Sequence, residues 1–228
     1  MEQDLIIEEY FAFLTNKAYP CIGAKTAITK QQLKCIVVDH MACPKDDRDI
    51  LQFLYDFINN YRNSIKLFHS ATVIFKQPTM PNEEMFDGLL WQKLQVLADL
   101  DSENYSYDNR VSKDPSSPFF SFSLKEEALF IEKLHPASSK SSRQFKYPAV
   151  IFNPHAQFEK LRETNHYENM KNIIRKRDAT YSGSLNPMLK DFGDASEVYQ
   201  YSGRKHDTNW QCPFKPNHDE TGKHNPAT

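Results

Sequence analysis

The chain has 228 residues, of which 39% are hydrophobic and 25% charged. That is enough apolar material for one sizeable core and too much for a disordered or collagen-like chain. Lys and Arg total 28 against 30 Asp and Glu, a net charge of −2, so nothing in the overall balance suits a phosphate backbone, and nucleic acid is not expected as a partner.

The aromatic content of 13% is high and the six glycines are few, which favours ring-walled pockets over glycine-rich phosphate loops. Met1-Glu2-Gln3-Asp4 is acidic where a signal peptide is basic. No stretch approaches the roughly 18 uninterrupted apolar residues of a membrane span, so the expectation is a cytoplasmic protein without a membrane partner. Cys21, Cys35, Cys43 and Cys212 form no CxxC pair, and reduced, buried thiols are expected rather than a disulfide framework or a zinc ribbon.

In chain order, Leu5 to Leu14 carries apolar residues at helical spacing after Asp4, a candidate N-cap. Cys35 to Val38 reads as a strand, and Ile50, Leu51, Leu54, Phe57, Ile58 and Tyr61 as the stripe of the helix that follows it. Ser70 to Phe75 is a second strand. Asn82 then caps the strongest helix, with Phe86, Leu89, Leu90, Leu94 and Leu97 on one face. From Asp99 to Pro118 the chain is polar and reads as a long surface loop.

Phe119 to Ser123, Ala128 to Leu134 and Tyr147 to Phe152 read as an antiparallel group, the first two joined by a turn at Lys125-Glu126-Glu127. Asn153-Pro154 opens a helix, and a second helix runs from about Tyr167 to Arg177. The expected architecture is α+β: a single domain over residues 1–214, mainly antiparallel sheet with flanking helices, followed by a disordered tail over 215–228.

The densest polar cluster runs from His135 to Arg143. Ser138, Ser139, Lys140 and Arg143 supply donors suited to a phosphate or carboxylate, although a solvated serine-rich hairpin loop has the same composition. His155 stands in the first turn of a helix, where the dipole favours the neutral imidazole that ligates metals; the ordinary alternative is a histidine satisfied by its neighbours. His40 and His69 border strands with no metal-motif spacing and read as structural. Cys212, beside Trp210, is a candidate thiolate ligand to iron or a plain structural thiol. GxSxG, Walker, HExxH and GxGxxG motifs are all missing.

Several longer segments carry a resemblance. They include Pro20-Cys21-Ile22-Gly23-Ala24-Lys25, Leu90-Trp91-Gln92-Lys93-Leu94, Ser112-Lys113-Asp114-Pro115, Leu134-His135-Pro136-Ala137-Ser138-Ser139, Phe152-Asn153-Pro154-His155-Ala156-Gln157-Phe158-Glu159 and Cys212-Pro213-Phe214. With these in order over roughly residues 20 to 214, the chain resembles the YqcI/YcgG family. The resemblance implies a likeness to the heme-dependent guanidino N-hydroxylases of guanitoxin and D-cycloserine biosynthesis. The implied cofactor is heme b, with O2 as co-substrate, an external electron donor and a small guanidino substrate.

Under that reading the iron ligand is His135, then His155, then Cys212, while Ser138, Ser139, Lys140 and Arg143 take the heme propionates. A planar cationic guanidinium needs a carboxylate and an aromatic face, for which Asp99, Asp101, Asp114 and Trp91 are the candidates. The chain departs from the family where Lys140 and Gln144 replace arginines and where residues 105–110 lack a tryptophan, so propionate contacts and substrate can differ. A non-catalytic heme-binding or gas-sensing protein needs the same pocket without the substrate acids. A small-anion module needs only the serine loop.

Overall fold

The structure, a computed structural model, describes residues 1–218 apart from 65, 165, 186, 187, 189, 202–205 and 208. Its elements are α1 (Glu2–Thr15), α2 (Ile22–Thr29), β1 (Leu33–His40), α3 (Asp47–Arg62), β2 (Ser70–Gln77), α4 (Glu83–Ser102), β3 (Phe122–Leu124), β4 (Glu127–Leu134), β5 (Ala149–Pro154), α5 (His155–Glu163), α6 (His166–Ser182) and α7 (Val198–Tyr201). The five strands make one sheet in the order β1-β2-β5-β4-β3. β1 and β2 are parallel, with α3 as the crossover, and every other pairing is antiparallel. The fold is therefore single-domain α+β with a mostly antiparallel open sheet.

Strand alternation builds two cores. Ala71, Val73 and Phe75 of β2, Leu129 and Ile131 of β4, and Val150 and Phe152 of β5 face α3 and α4. Ile74, Leu134, Ala149 and Ile151, one residue out of phase, face α1 and α2. The Tyr10 hydroxyl of α1 lies 3.1 Å from Thr72 Oγ1, satisfying both polar atoms beneath that second layer.

The β3–β4 turn is made without glycine. Lys125 and Glu126 have φ of 50° and 57°, the left-handed pair that a two-residue hairpin requires. Strain there is offset by a clamp: Asp101 accepts the Lys125 amide at 2.9 Å, and Arg62 Nη2 donates to the carbonyls of Lys125 and Glu126 at 2.7 and 2.9 Å.

Several boundaries differ from the sequence expectation. α2 carries small apolar residues without a strong stripe. β3 begins at Phe122 rather than Phe119, because the Phe120 amide closes a turn on Ser117 and leaves Phe119 exposed. α4 runs through Asp99 and Asp101, which therefore belong to the helix and not to the loop after it. Lys215–His218, placed in the expected disordered tail, pack on α4: Lys215 and Gln95 exchange two 2.8 Å hydrogen bonds and His218 is buried against Asp101. The rest of that tail lies outside the described residues.

Candidate functional site

A cavity of about 290 Å³ opens on the α1–α2 side of the sheet. Phe130, Glu132 and Leu134 of β4 and Ile151 and Asn153 of β5 form its floor, and α5, α6 and the segment from Lys190 to Gln200 close it. α2 contributes Gly23, Ala24 and Ala27, whose short side chains leave the space. α6 presents Tyr167, Met170 and Ile174 beside Lys171, Arg175 and Asp178, an apolar and a charged row at helical spacing on one face.

β5 runs straight into α5, so that Pro154 is the N-cap and His155 the first helical residue. This junction turns the imidazole inward, where it is 4% exposed and meets the Phe192 ring edge-on at 4.3 Å. Neither ring nitrogen has a hydrogen-bond partner. Nδ1 lies 3.5 Å from Glu197 Oε1 and Nε2 lies 3.7 Å from Glu159 Oε1. Burial, helped by the Arg162 charge, lowers the His155 pKa to about 4, so the ring is neutral with a lone pair available.

Glu197 is equally buried. Its Oε2 accepts from the Tyr201 hydroxyl at 2.9 Å, and burial pushes its pKa up to about 8. The Tyr201 oxygen in turn accepts the Phe122 amide at 3.0 Å, which fixes the acid relative to the sheet.

The other charged groups divide by how fully they are engaged. Lys171 and Arg175 share Asp191 at 2.8 and 3.1 Å, and their charges hold its carboxyl below the usual range. Asp178 takes Lys140 Nζ at 3.1 Å and the Ser182 hydroxyl at 3.0 Å. Arg162 rests on the Tyr167 ring, 4.4 Å from its centre. Arg143 Nη1 and Arg175 Nε are buried with no partner, and the ion pair of Arg143 is a long one, 3.8 Å to Glu132.

Of the residues singled out in the sequence, the cavity gathers His155 and Arg143. His135 lies on the other side of the sheet, stacked on Phe86 of α4 at 4.6 Å, with Lys133 Nζ 3.3 Å from its Nε2. Cys212 packs into the α3–α4 core, and burial drives its thiol up to about 12. Within the serine loop, the Ser139 amide and hydroxyl both donate to Glu83 at 2.9 Å, the Ser138 hydroxyl accepts the Lys140 amide, and Lys140 also donates to the Ser184 carbonyl.

The candidate substrate residues are dispersed as well. Trp91 is a core residue bonded to Asp87 at 3.1 Å. Asp99 accepts from Gln95 and Asn217, Asp101 from Tyr55, Lys125 and His218, and Asp114 caps an exposed turn at Ser116. The sequence reading did not single out Glu132, Glu197, Lys171 or Arg175. The row Lys171, Arg175, Asp178 is visible in the sequence as polar positions flanking an apolar stripe; Glu197 has no such signal.

Among the described residues no three His, Cys, Asp or Glu side chains converge to hold a bare metal ion. A porphyrin brings four ligands of its own, so a single open imidazole suffices. The donor set fits such a group, with an unpartnered buried imidazole, two arginines with unpartnered nitrogens, and walls from Phe130, Phe158, Phe192 and Leu161. The cavity sits near the lower end, about 300 Å³, of the usual range for small-molecule sites, so a group as wide as a heme has to extend into its mouth.

These features define a single-domain α+β protein with a histidine-lined, cation-rimmed cavity. The chain belongs to the YqcI/YcgG family, whose sequence pattern matches residues 10–215. It is 30% identical over 206 residues to the uncharacterized protein YqcI of Bacillus subtilis strain 168, covering 86% of this chain and 80% of that one. It is 24% identical over 219 residues to a Streptomyces lavendulae protein named "Putative N(omega)-hydroxy-L-arginine synthase DcsA", covering 91% of this chain and 82% of that one. No solved structure matches it at a significant level. No described helix is long and apolar enough to cross a membrane.

Proposed function

We propose that this protein is a heme-dependent oxygenase that hydroxylates a guanidino nitrogen of arginine or a related compound. The observation that carries the reading is His155, buried at the cavity wall with both ring nitrogens unpartnered, in a chain related to a protein named for N-hydroxyarginine synthesis. Bound heme supplies the chemistry of O2 activation. In balance, one oxygen atom enters the substrate N–H bond as N–OH and the other leaves as water, with two protons and two electrons from a donor outside this chain.

The residues of this chain bind and orient. His155 would hold the iron through a ring nitrogen. Arg143, with its free Nη1, and the Lys171–Arg175 pair would hold the anionic groups of the cofactor. Glu132 receives the substrate guanidinium, since Asp178 and Asp191 are committed to cations and Glu197 to Tyr201, whereas Glu132 has only long contacts, 3.4 Å to Asn153 Nδ2 and 3.8 Å to Arg143. His135 is a weaker axial candidate because its Nε2 faces the Lys133 ammonium, and Cys212 is weaker because its thiol resists ionisation.

Hemin titration of the wild type, His155→Ala, His135→Ala and Cys212→Ala tests the cofactor half. Saturable binding with a perturbed spectrum only in His155→Ala is expected. Incubation of the heme-loaded protein with reductant, O2 and a panel of guanidines and simple amines tests the chemistry, read as a mass gain of one oxygen. No hemin binding sinks the whole reading. Spectral response to O2, CO or NO without turnover of any compound favours a gas-sensing protein.

A further inference from the structure

We propose that Glu197 is a positioning residue for His155, accepting the Nδ1 proton so that the ring presents Nε2 to the iron. The inference rests on the heme reading above and names a residue that neither the sequence pattern nor the relatives assign. Three observations carry it.

Glu197 Oε1 is the acid oxygen nearest Nδ1, at 3.5 Å, a separation that a small rotation of either side chain closes to a hydrogen bond. The acid is 4% exposed and cannot turn to solvent. Its second oxygen is held by the Tyr201 hydroxyl at 2.9 Å, and that hydroxyl is held by the Phe122 amide of β3 at 3.0 Å, so the sheet fixes where Oε1 points. Glu159, on the other side of the ring, is half-exposed and lies on the same helix one turn on, free to swing away from Nε2. One nitrogen thus has a fixed acceptor and the other a removable neighbour. That asymmetry selects the tautomer, as acceptors beside metal-bound histidines do generally, and makes the imidazole a stronger donor.

The test compares hemin complexes of the wild type, Glu197→Gln and Glu197→Asp. A ligand held by a fixed acceptor gives a high iron–histidine stretching frequency in the ferrous state and a low midpoint potential. Glu197→Gln is expected to lower the first, raise the second and weaken hemin binding about 10- to 100-fold. Glu197→Asp, which keeps a carboxyl acceptor but withdraws it by one methylene, is expected to fall between and serves if the glutamine variant folds poorly. Unchanged frequency and potential in both variants with heme normally bound overturn this inference alone. Absence of hemin binding by the wild type overturns the function reading and this inference with it.

Discussion

Lys133 Nζ lies 3.3 Å from Nε2 of His135, both side chains buried against the Phe86 ring. An ammonium only donates, so Nε2 accepts, the ring is neutral, and its proton sits on Nδ1. The relationship removes His135 from the cavity and makes it part of the packing between β4 and α4.

This pairing makes stability sensitive to acid. Burial, reinforced by the Lys133 charge, lowers the His135 pKa from 6.5 to about 3. Above pH 6.5 both folded and unfolded chains carry the neutral ring and the group contributes no pH dependence. Below it the unfolded chain takes up a proton that the folded chain refuses, so stability falls between about pH 6.5 and about pH 3. His135→Phe keeps a ring on Phe86 and removes the titration. It should lower Tm at pH 7.5, because Lys133 loses an acceptor, yet show a smaller Tm difference between pH 7.5 and pH 4 than the wild type. An equal difference in both proteins would rule out His135 as the origin of acid sensitivity.

Arg143→Ala tests the rim of the cavity. The guanidinium has a buried unpartnered nitrogen and one long contact to Glu132, so its removal disrupts little of the fold. Hemin affinity is expected to fall about tenfold or more, in line with a charge-assisted bond worth about 1.5–3 kcal/mol, while the Soret position holds because iron coordination is untouched. An unchanged titration curve would remove Arg143 from the anionic edge.

Asp101 and Asp99 separate structural from functional acids on α4. Asp101 is fully buried and accepts from Tyr55, the Lys125 amide and His218, tying α3, the β3–β4 turn and the chain's last described residues together. Asp101→Ala leaves several buried donors unpaired, each costing about 1–3 kcal/mol, so a Tm drop large enough to threaten folding is expected. Asp99→Ala breaks one part-buried bond from Gln95 and one exposed bond from Asn217 and should change stability by no more than about 1 kcal/mol. Similar thermal shifts in the two variants would contradict the assignment of Asp101 as the hub.

Much of the fold was legible because it is written in period. The stripes of α3 and α4 follow from burial on one face, and the near-continuous apolar runs of β2 and β5 from burial on both. α2 was not, since Ile22-Gly23-Ala24-Lys25-Thr26-Ala27 has too little bulk to print a stripe, although that lack of bulk is what opens the cavity. At the site, His155 stood out through its place after Asn153-Pro154. Glu197 and Glu132 did not, because a buried acid facing a cavity and a solvated one look alike until strands and helices far apart in sequence are brought together. The same limit explains Asp99 and Asp101. Their position near a helix end was readable; whether they face solvent, substrate or the hairpin turn was not.

Glu132 provides the test of substrate recognition. It projects from the cavity face of β4, alternating with Ile131 and Lys133 on the opposite face, and is the cavity acid whose contacts are all long, at 3.4 and 3.8 Å. A planar cation with paired N–H donors is the partner that two carboxylate oxygens held only by long contacts match best. Glu132→Gln keeps the shape, one acceptor oxygen and the strand, and removes the charge. For a guanidino substrate the Michaelis constant should rise about 10- to 100-fold, the value of a hydrogen bond to a charged group at about 1.5–3 kcal/mol, with the hemin spectrum and its midpoint unchanged. A neutral substrate analogue should lose far less, because it never gained from the charge. If Glu132→Gln turns over guanidines with an unaltered Michaelis constant, the cation is held elsewhere. If it loses heme together with activity, Glu132 acts through Arg143 on the cofactor and not on the substrate.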